Sequence, residues 1–322
     1  MRELLLRFVP IFVSVSLIYL VFQSIEIDQL RNTFQSLNSF VVIFSISAYL
    51  IIIPIITVRW NLMVEIFLDK SPNYRQSLTD NWSGMAIGWV TPSNLGWDAY
   101  RAIRMSQRFG APSLQVTIIL IEKLLTLSIC LLFSLMLFPL FFDQFYAGII
   151  HDLSSFILIL ALPTILYFSQ SRIYSAIYHT SSRLEGFFLS RWFSGNLEEN
   201  NPVEFGTLSF SLPALLSAIP IAILALIDYS IISAMDVDIS IIQTLFAVSI
   251  LSVIFALPIS FGSLGVRESS YIIVYSQFGL TNEQALTLSI LNLSGILLNA
   301  SVGAIISKSS LSQSLTMGNN SD

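Results

Sequence analysis

Arg101 and Arg104 stand one helical turn apart, just after the stretch Thr91-Pro92-Ser93-Asn94-Leu95-Gly96, and Arg267 follows Pro258, Gly262 and Gly265 in the same manner. A guanidinium presents paired planar N–H donors that match the oxygens of a phosphate, and free amides at a helix start add a favourable dipole. Proline removes a backbone donor and glycine permits close approach, so each stretch would leave main-chain polar groups beside an arginine. That combination is suited to holding an anion. Acidic side chains lie within the same segments: Asp98 between Gly96 and Arg101, and Glu268 directly after Arg267. Either could exchange a proton or serve as a general base. A further charged pair, Glu122-Lys123, interrupts a long apolar run. Neighbours in the chain leave a helix in different directions, so each needs its own partner. Arg101 and Arg267 are the expected partners of the Glu122 carboxylate, while Lys123 can extend its apolar stem toward an interface.

The elements that must position these residues are apolar helices. Of 322 residues, 54% are hydrophobic and 11% charged, and the mean hydropathy is +0.76. A water-soluble fold could not shelter that much apolar surface behind so few charges. Lipid accepts it. A helix needs roughly 20 apolar residues to cross the hydrocarbon core. Runs at 9–22, 40–58, 114–142, 153–168, 208–227 and 239–259, then a less continuous region at 271–306, supply the candidates. Period-two alternation is absent and every backbone group in lipid must be paired, so helices rather than a barrel are expected. Pro10, Pro54, Pro139, Pro163, Pro213 and Pro220 fall in or at the ends of these runs, where kinked spans tolerate them. The first run could pass for a signal peptide, but Gln23-Ser24-Ile25-Glu26 makes a poor cleavage site and a retained span is expected.

Charge placement orients the spans. Arg59, Lys70 and Arg75 follow the second run, Arg101, Arg104 and Arg108 precede the third, and Arg172, Arg183 and Arg191 follow the fourth. The alternate connections are mainly acidic, with Glu26, Asp28, Asp143, Asp152, Asp236 and Asp238. Basic residues on every second connection predict a multi-pass protein of the cell's cytoplasmic (inner) membrane, amino terminus in the cytoplasm. The same bias offers a simpler reason for the arginines, stronger for Arg108 than for Arg267. One transmembrane domain is expected over 1–308, with a cytoplasmic loop at 169–206 carrying a short surface helix at 184–193. A disordered tail is expected at 309–322, rich in Ser and Asn. The single cysteine, Cys130, excludes an intrachain disulfide.

The segments at 84–104 and 257–268 are short apolar stretches broken by turn formers. Pro92 to Arg101 and Pro258 to Arg267 have the same separation. Interrupted helices at related positions in two halves of a chain are expected of carriers built from inverted repeats. Two ordinary cytoplasmic turns rich in Gly and Pro are the equal alternative. No Walker loop, dinucleotide fingerprint, paired-histidine zinc motif, CxxC or GxSxG elbow occurs, and no cofactor or metal is expected. His151 and His179 are isolated, and no basic patch is large enough for nucleic acid.

At the two broken segments the chain resembles the lysylphosphatidylglycerol synthase transmembrane-region family. The first signature is carried by Thr91-Pro92-Ser93-Asn94-Leu95-Gly96 and Tyr100-Arg101, the second by Pro258, Gly262, Gly265, Arg267 and Glu268. Arg59-Trp60 and Glu122-Lys123 resemble further family positions. Lys123 stands where arginine is more usual, and Trp97-Asp98 departs from the simpler Gly/acidic pattern. The resemblance runs over about 4–306 and implies an all-α, polytopic membrane helix bundle with two interrupted or re-entrant segments. In multidomain relatives such a module accompanies an aminoacyl-phosphatidylglycerol synthase or a glycosyltransferase. Movement of product lipid is what the resemblance to the former implies; the synthase chemistry is not carried over.

Three functions are therefore expected in competition. The first is a flippase-like carrier of a lipid or lipid-linked phosphate, without nucleotide hydrolysis, whose headgroup site would use Arg101, Arg104, Arg267, Glu268, Glu122, Lys123 and Asp98. Pro92, Gly96, Pro258, Gly262 and Gly265 would supply the broken backbone. The second is an integral membrane transferase on a lipid-linked donor, with Asp98 or Glu268 as base. The third is a non-transporting assembly subunit of a separate synthase or transferase.

Overall fold

The computed structural model describes residues 2–89, 91, 95–110, 112–138, 141, 211–256 and 263–318. The expected span at 153–168, the loop at 169–206 with its surface helix, both histidines, and Pro92, Pro258 and Gly262 lie outside the described residues. Among those described there are helices and no strands. In order they are α1 (Arg2–Gln23), α2 (Ile27–Ser36), α3 (Ser39–Ala48), a 3-10 turn (Tyr49–Ile51), α4 (Ile52–Leu68), α5 (Tyr74–Trp89) and α6 (Leu95–Phe109). Then follow α7 (Pro112–Leu137), α8 (Ser211–Ser233), α9 (Ile241–Ala256), α10 (Val266–Ser276) and α11 (Asn282–Gly318).

Four stretches are long and apolar enough to cross a membrane: Ser39–Leu68, Leu114–Leu137, Ser211–Ser233 and Asn282–Lys308. Large apolar side chains point outward from them and from α1, among them Phe22, Phe40, Phe44, Leu215, Leu226 and Ile305. In water that outward face would be costly, whereas lipid solvates it. Short-range signals set several helix starts. Asn38 accepts the Phe40 N–H at 2.8 Å at the head of α3. Ser240 and Gln243 exchange side chain and backbone hydrogen bonds before α9, and Thr281 and Gln284 do the same before α11. Both pairs form the reciprocal capping box that satisfies otherwise orphaned amides. The 3-10 turn has a local cause as well. The Pro54 ring displaces the carbonyl four residues earlier, that of Leu50 at the turn's centre.

The chain divides into two compact units. The first comprises Met1–Pro54, Leu78–Tyr100 and Ile221–Asp322; the second, Ile55–Ser77 and Arg101–Pro220. In the first unit α10 packs on α11, α9 and α1, and α11 also meets α2, α3 and the 3-10 turn. Val21, Ile25 and Leu286 form one of its cores. In the second unit Trp60, Met63, Val64 and Phe67 of α4 interlock with Leu114, Ile118, Ile121 and Leu125 of α7 and with Ala102 and Met105 of α6. Those positions recur every three or four residues, the stripe that a helix presents to its neighbours. Since lipid tails are as apolar as these side chains, their association rests on close packing and polar contacts rather than on release of water.

Two boundaries differ from the sequence expectation. The run at 208–227 continues as helix through Asp228 to Ser233, because the Asp228 carboxylate is hydrogen-bonded inside the protein and need not end the span. Helical backbone in α11 also passes Lys308 and reaches Gly318, into the tail expected to lack structure. Adding residues to an existing helix costs far less than starting one.

Candidate functional site

Glu122 is the centre of a buried ionic cluster in the second unit. It lies on α7 between Ile118 and Leu125, on the face packed against α4 and α6, and is 2% exposed. Arg59 of α4 donates to its Oε1 through Nε at 3.1 Å and Nη2 at 2.7 Å. Arg101 of α6 places Nη2 3.0 Å from Oε2. The remaining guanidinium nitrogen of Arg59, Nη1, donates to Thr126 Oγ1 at 3.0 Å and Ser217 Oγ at 2.8 Å. The guanidinium of Arg101 lies over the Trp60 ring, 4.6 Å from its centroid. Residues of α4, α6, α7 and α8 are thereby joined by charge-assisted contacts. Burying two guanidinium groups is expensive unless they are paired and hydrogen-bonded, and here a carboxylate, two hydroxyls and an aromatic face provide for them.

The cluster brings together two of the expected residues, Arg101 and Glu122, and adds Arg59. Sequence had marked Arg59 only as a basic residue on a connection and as part of Arg59-Trp60. Its identity as the other partner of Glu122 comes from α4 and α7 lying side by side, a non-local contact. Arg104, one turn beyond Arg101, is exposed and contacts Gln107 at 3.3 Å, so the two arginines separate into a buried one and an outward one. Lys123 is exposed too.

The other expected residues belong to the first unit. Asp98 is buried in the first turn of α6, where a negative charge is favoured by the helix dipole. Arg267 is buried at the second position of α10, its guanidinium 5.6 Å from the centroid of the Phe255 ring. The arginines of the Glu122 cluster are Arg59 and Arg101. Although Arg101 and Arg267 are equally far from a proline, they stand at different places in their helices: Arg101 near the middle of α6, Arg267 at the start of α10.

The two segments carry the end of α5 and the start of α6, and the end of α9 and the start of α10. At each the protein has already used a backbone amide that could have received a ligand. Thr91 Oγ1 accepts the Gly96 N–H at 2.8 Å and itself donates to the Gly88 carbonyl at 2.8 Å. Glu268 accepts the Gly265 N–H at 2.6 Å across the first turn of α10. Gly265, at φ +80°, begins that helix against the Ser14 carbonyl. Thr91 and Glu268 thus satisfy these two amides. Glu268 is occupied as a helix cap, which weakens its case as a base.

Apolar spans that enclose an ion-paired cluster in their own packing define an all-α, polytopic membrane protein. The chain belongs to the family of the lysylphosphatidylglycerol synthase TM region, whose model matches residues 7–292. It is therefore a membrane protein of the lysylphosphatidylglycerol synthase TM-region kind. No curated protein and no solved structure matches the chain.

Proposed function

We propose that the protein carries a lipid or lipid-linked phosphate between leaflets, with the headgroup recognised by the arginines around Glu122. The observation behind this reading is that Arg59 and Arg101 converge from two helices on one carboxylate inside a span. A phosphate offers the same guanidinium-acceptor geometry as a carboxylate and can compete with Glu122 for those donors. Exchange of partners would release α6 from α7 on loading and restore the tie on unloading, with no covalent step. Trp60 would keep the planar Arg101 guanidinium oriented in both situations. Family membership supports a lipid-handling role; the choice of carrier over transferase rests on the buried cationic pair and on the engagement of Glu268 as a cap.

The test is reconstitution of the purified chain in vesicles containing headgroup-labelled lipid. Labelled lipid should change leaflet faster than in empty vesicles, with no new lipid species. Arg101→Ala should slow movement by about tenfold or more, since a charge-assisted contact contributes about 1.5–3 kcal/mol. A new lipid species without movement would establish the transferase, and inactivity in both measurements would leave the assembly subunit. An Arg101→Ala protein that folds and moves lipid at the wild-type rate removes this site.

A further inference from the structure

Asp228 belongs neither to the arginine cluster nor to the broken segments. It is the sole acidic residue of the apolar helix α8, sits within the membrane-crossing stretch Ser211–Ser233 and is 1% exposed. Two neutral donors reach it: Tyr275 Oη to Oδ2 at 2.5 Å and Asn292 Nδ2 to Oδ1 at 2.8 Å. Asn292 is itself oriented, donating to the Leu288 carbonyl at 3.0 Å and accepting from the Tyr49 hydroxyl. Tyr49 is held in turn by Asn299, which donates to its carbonyl at 3.0 Å and accepts the Trp82 indole N–H at 3.1 Å. All these residues lie in the first unit.

The titratable and charged groups around Asp228 can be named element by element. Tyr275 and Tyr271 come from α10, their rings 5.6 Å apart, together with Arg267 and Glu268, whose charges act on Tyr271. Tyr49 comes from the 3-10 turn and feels the Arg267 charge as well. From α11 the contact is the neutral Asn292. Among the described residues no Lys or Arg forms an ion pair with Asp228.

The buried carboxylates Glu122 and Asp228 therefore have opposite surroundings. Glu122 is met by guanidinium groups, which donate only, so its contacts require the ionised form. Asp228 is met by a phenol and an amide. An ionised carboxylate has about four acceptor sites, of which this shell fills two, with no cation in an apolar span. A hydroxyl can reverse its bond: when Asp228 carries a proton, its O–H can donate to Tyr275 Oη, which turns its own proton aside. Both charge states then keep hydrogen-bonded partners without moving a helix far.

We infer that Asp228 is a proton-binding site, taking up and releasing one proton through the Tyr275 hydroxyl, and that its occupancy sets how tightly α8 is tied to α10 and α11. In uptake hydronium gives a proton to Tyr275 Oη as the phenol's own proton passes to Asp228 Oδ2: the phenol's original O–H bond breaks, a new one forms at Oη and another at Oδ2, water leaves and the carboxylate charge is neutralised; release is the reverse. Ionised Asp228 draws Tyr275 and Asn292 toward it, whereas the acid loosens the amide contact, so proton binding and helix packing are linked. Where such a site sits in a carrier, a proton gradient supplies the drive that a chain without a nucleotide-binding motif otherwise lacks. That last step rests on the carrier reading above; the proton site does not.

Two measurements on the full chain separate the claims. Infrared difference spectra between acidic and alkaline buffer, recorded in lipid nanodiscs, should contain a protonated-carboxyl C=O band that is lost in Asp228→Asn. If Asp228→Asn does not fold, Tyr275→Phe retains the carboxylate and should move the pH midpoint of that band by about one unit, the effect of one hydrogen bond. Identical spectra in wild type and Asp228→Asn, or an unmoved midpoint in Tyr275→Phe, overturn the site. In vesicles under an imposed pH difference, labelled-lipid movement should respond by up to about tenfold per unit, a factor of ten in proton activity. Asp228→Asn should move lipid without that response. A response retained in Asp228→Asn, or driven by a sodium gradient instead, overturns the coupling. Wild-type protein that moves no lipid but shows the infrared band refutes the carrier and keeps the proton site.

Discussion

Glu122 receives guanidinium contacts from two helices, while Lys123, the next residue along, is exposed. The hundred-degree turn between successive helical residues is responsible, and it makes a sharp prediction at this scale. Glu122→Gln leaves Arg59 and Arg101 buried without their anion and should lower stability by about 3–5 kcal/mol, the usual cost of breaking a buried pair from one side. Lys123→Gln should stay within about 0.5 kcal/mol of wild type, as exposed substitutions do. Reversible unfolding in detergent measures both, and equal effects would contradict the placement of Glu122 at a packed junction. The residue types were legible in sequence because charges are so rare in this chain. Their pairing was only half legible: Arg101 could be named as a partner of Glu122, but Arg59 could not. Asp228 was missed since it follows directly on an apolar run and reads as its end. The available signal was the apolar Ile231 and Ile232 that continue beyond it, together with Asn292 and Asn299 spaced two turns apart on α11.

At the scale of elements, the second break depends on Gly265. Its backbone is at φ +80°, and a Cβ there would come within 2.6 Å of the Ser14 carbonyl oxygen of α1. Gly279, at φ +89° in the turn between α10 and α11, has nothing within 4 Å of that position. Gly279→Ala should therefore show backbone strain alone, about 1–2 kcal/mol, while Gly265→Ala adds a collision with a neighbouring helix and should cost distinctly more. Thermal unfolding of the two variants side by side decides it; a Gly265→Ala protein as stable as Gly279→Ala would mean that α1 does not seat against this turn. The position of each break was visible from Gly and Pro. What each break does with its amides was not visible. Gly96 is served by a threonine five residues back and Gly265 by a glutamate three residues on, choices made by local backbone geometry that composition does not encode.

For the whole molecule, the arrangement of charges along the chain predicts which connections share a side of the membrane. In a Cys130→Ala background, cysteine at Asp236, which is exposed, should react with an impermeant thiol reagent on intact cells, and cysteine at the exposed Lys70 should react only after lysis. Cys130 itself is 0% exposed and should contribute little background. Labelling of both positions from outside would refute the orientation with a cytoplasmic amino terminus. Sequence alone determined that the chain is helical and lives in lipid, because hydropathy is summed over whole spans and survives any detail of packing. It also located the breaks, since proline and glycine act on their own backbone. The tertiary structure decided which charges meet. A carboxylate paired with two arginines and another held by a tyrosine and an asparagine look alike in an apolar run; their difference lies in donors brought from helices far away in the chain, and only packing selects those.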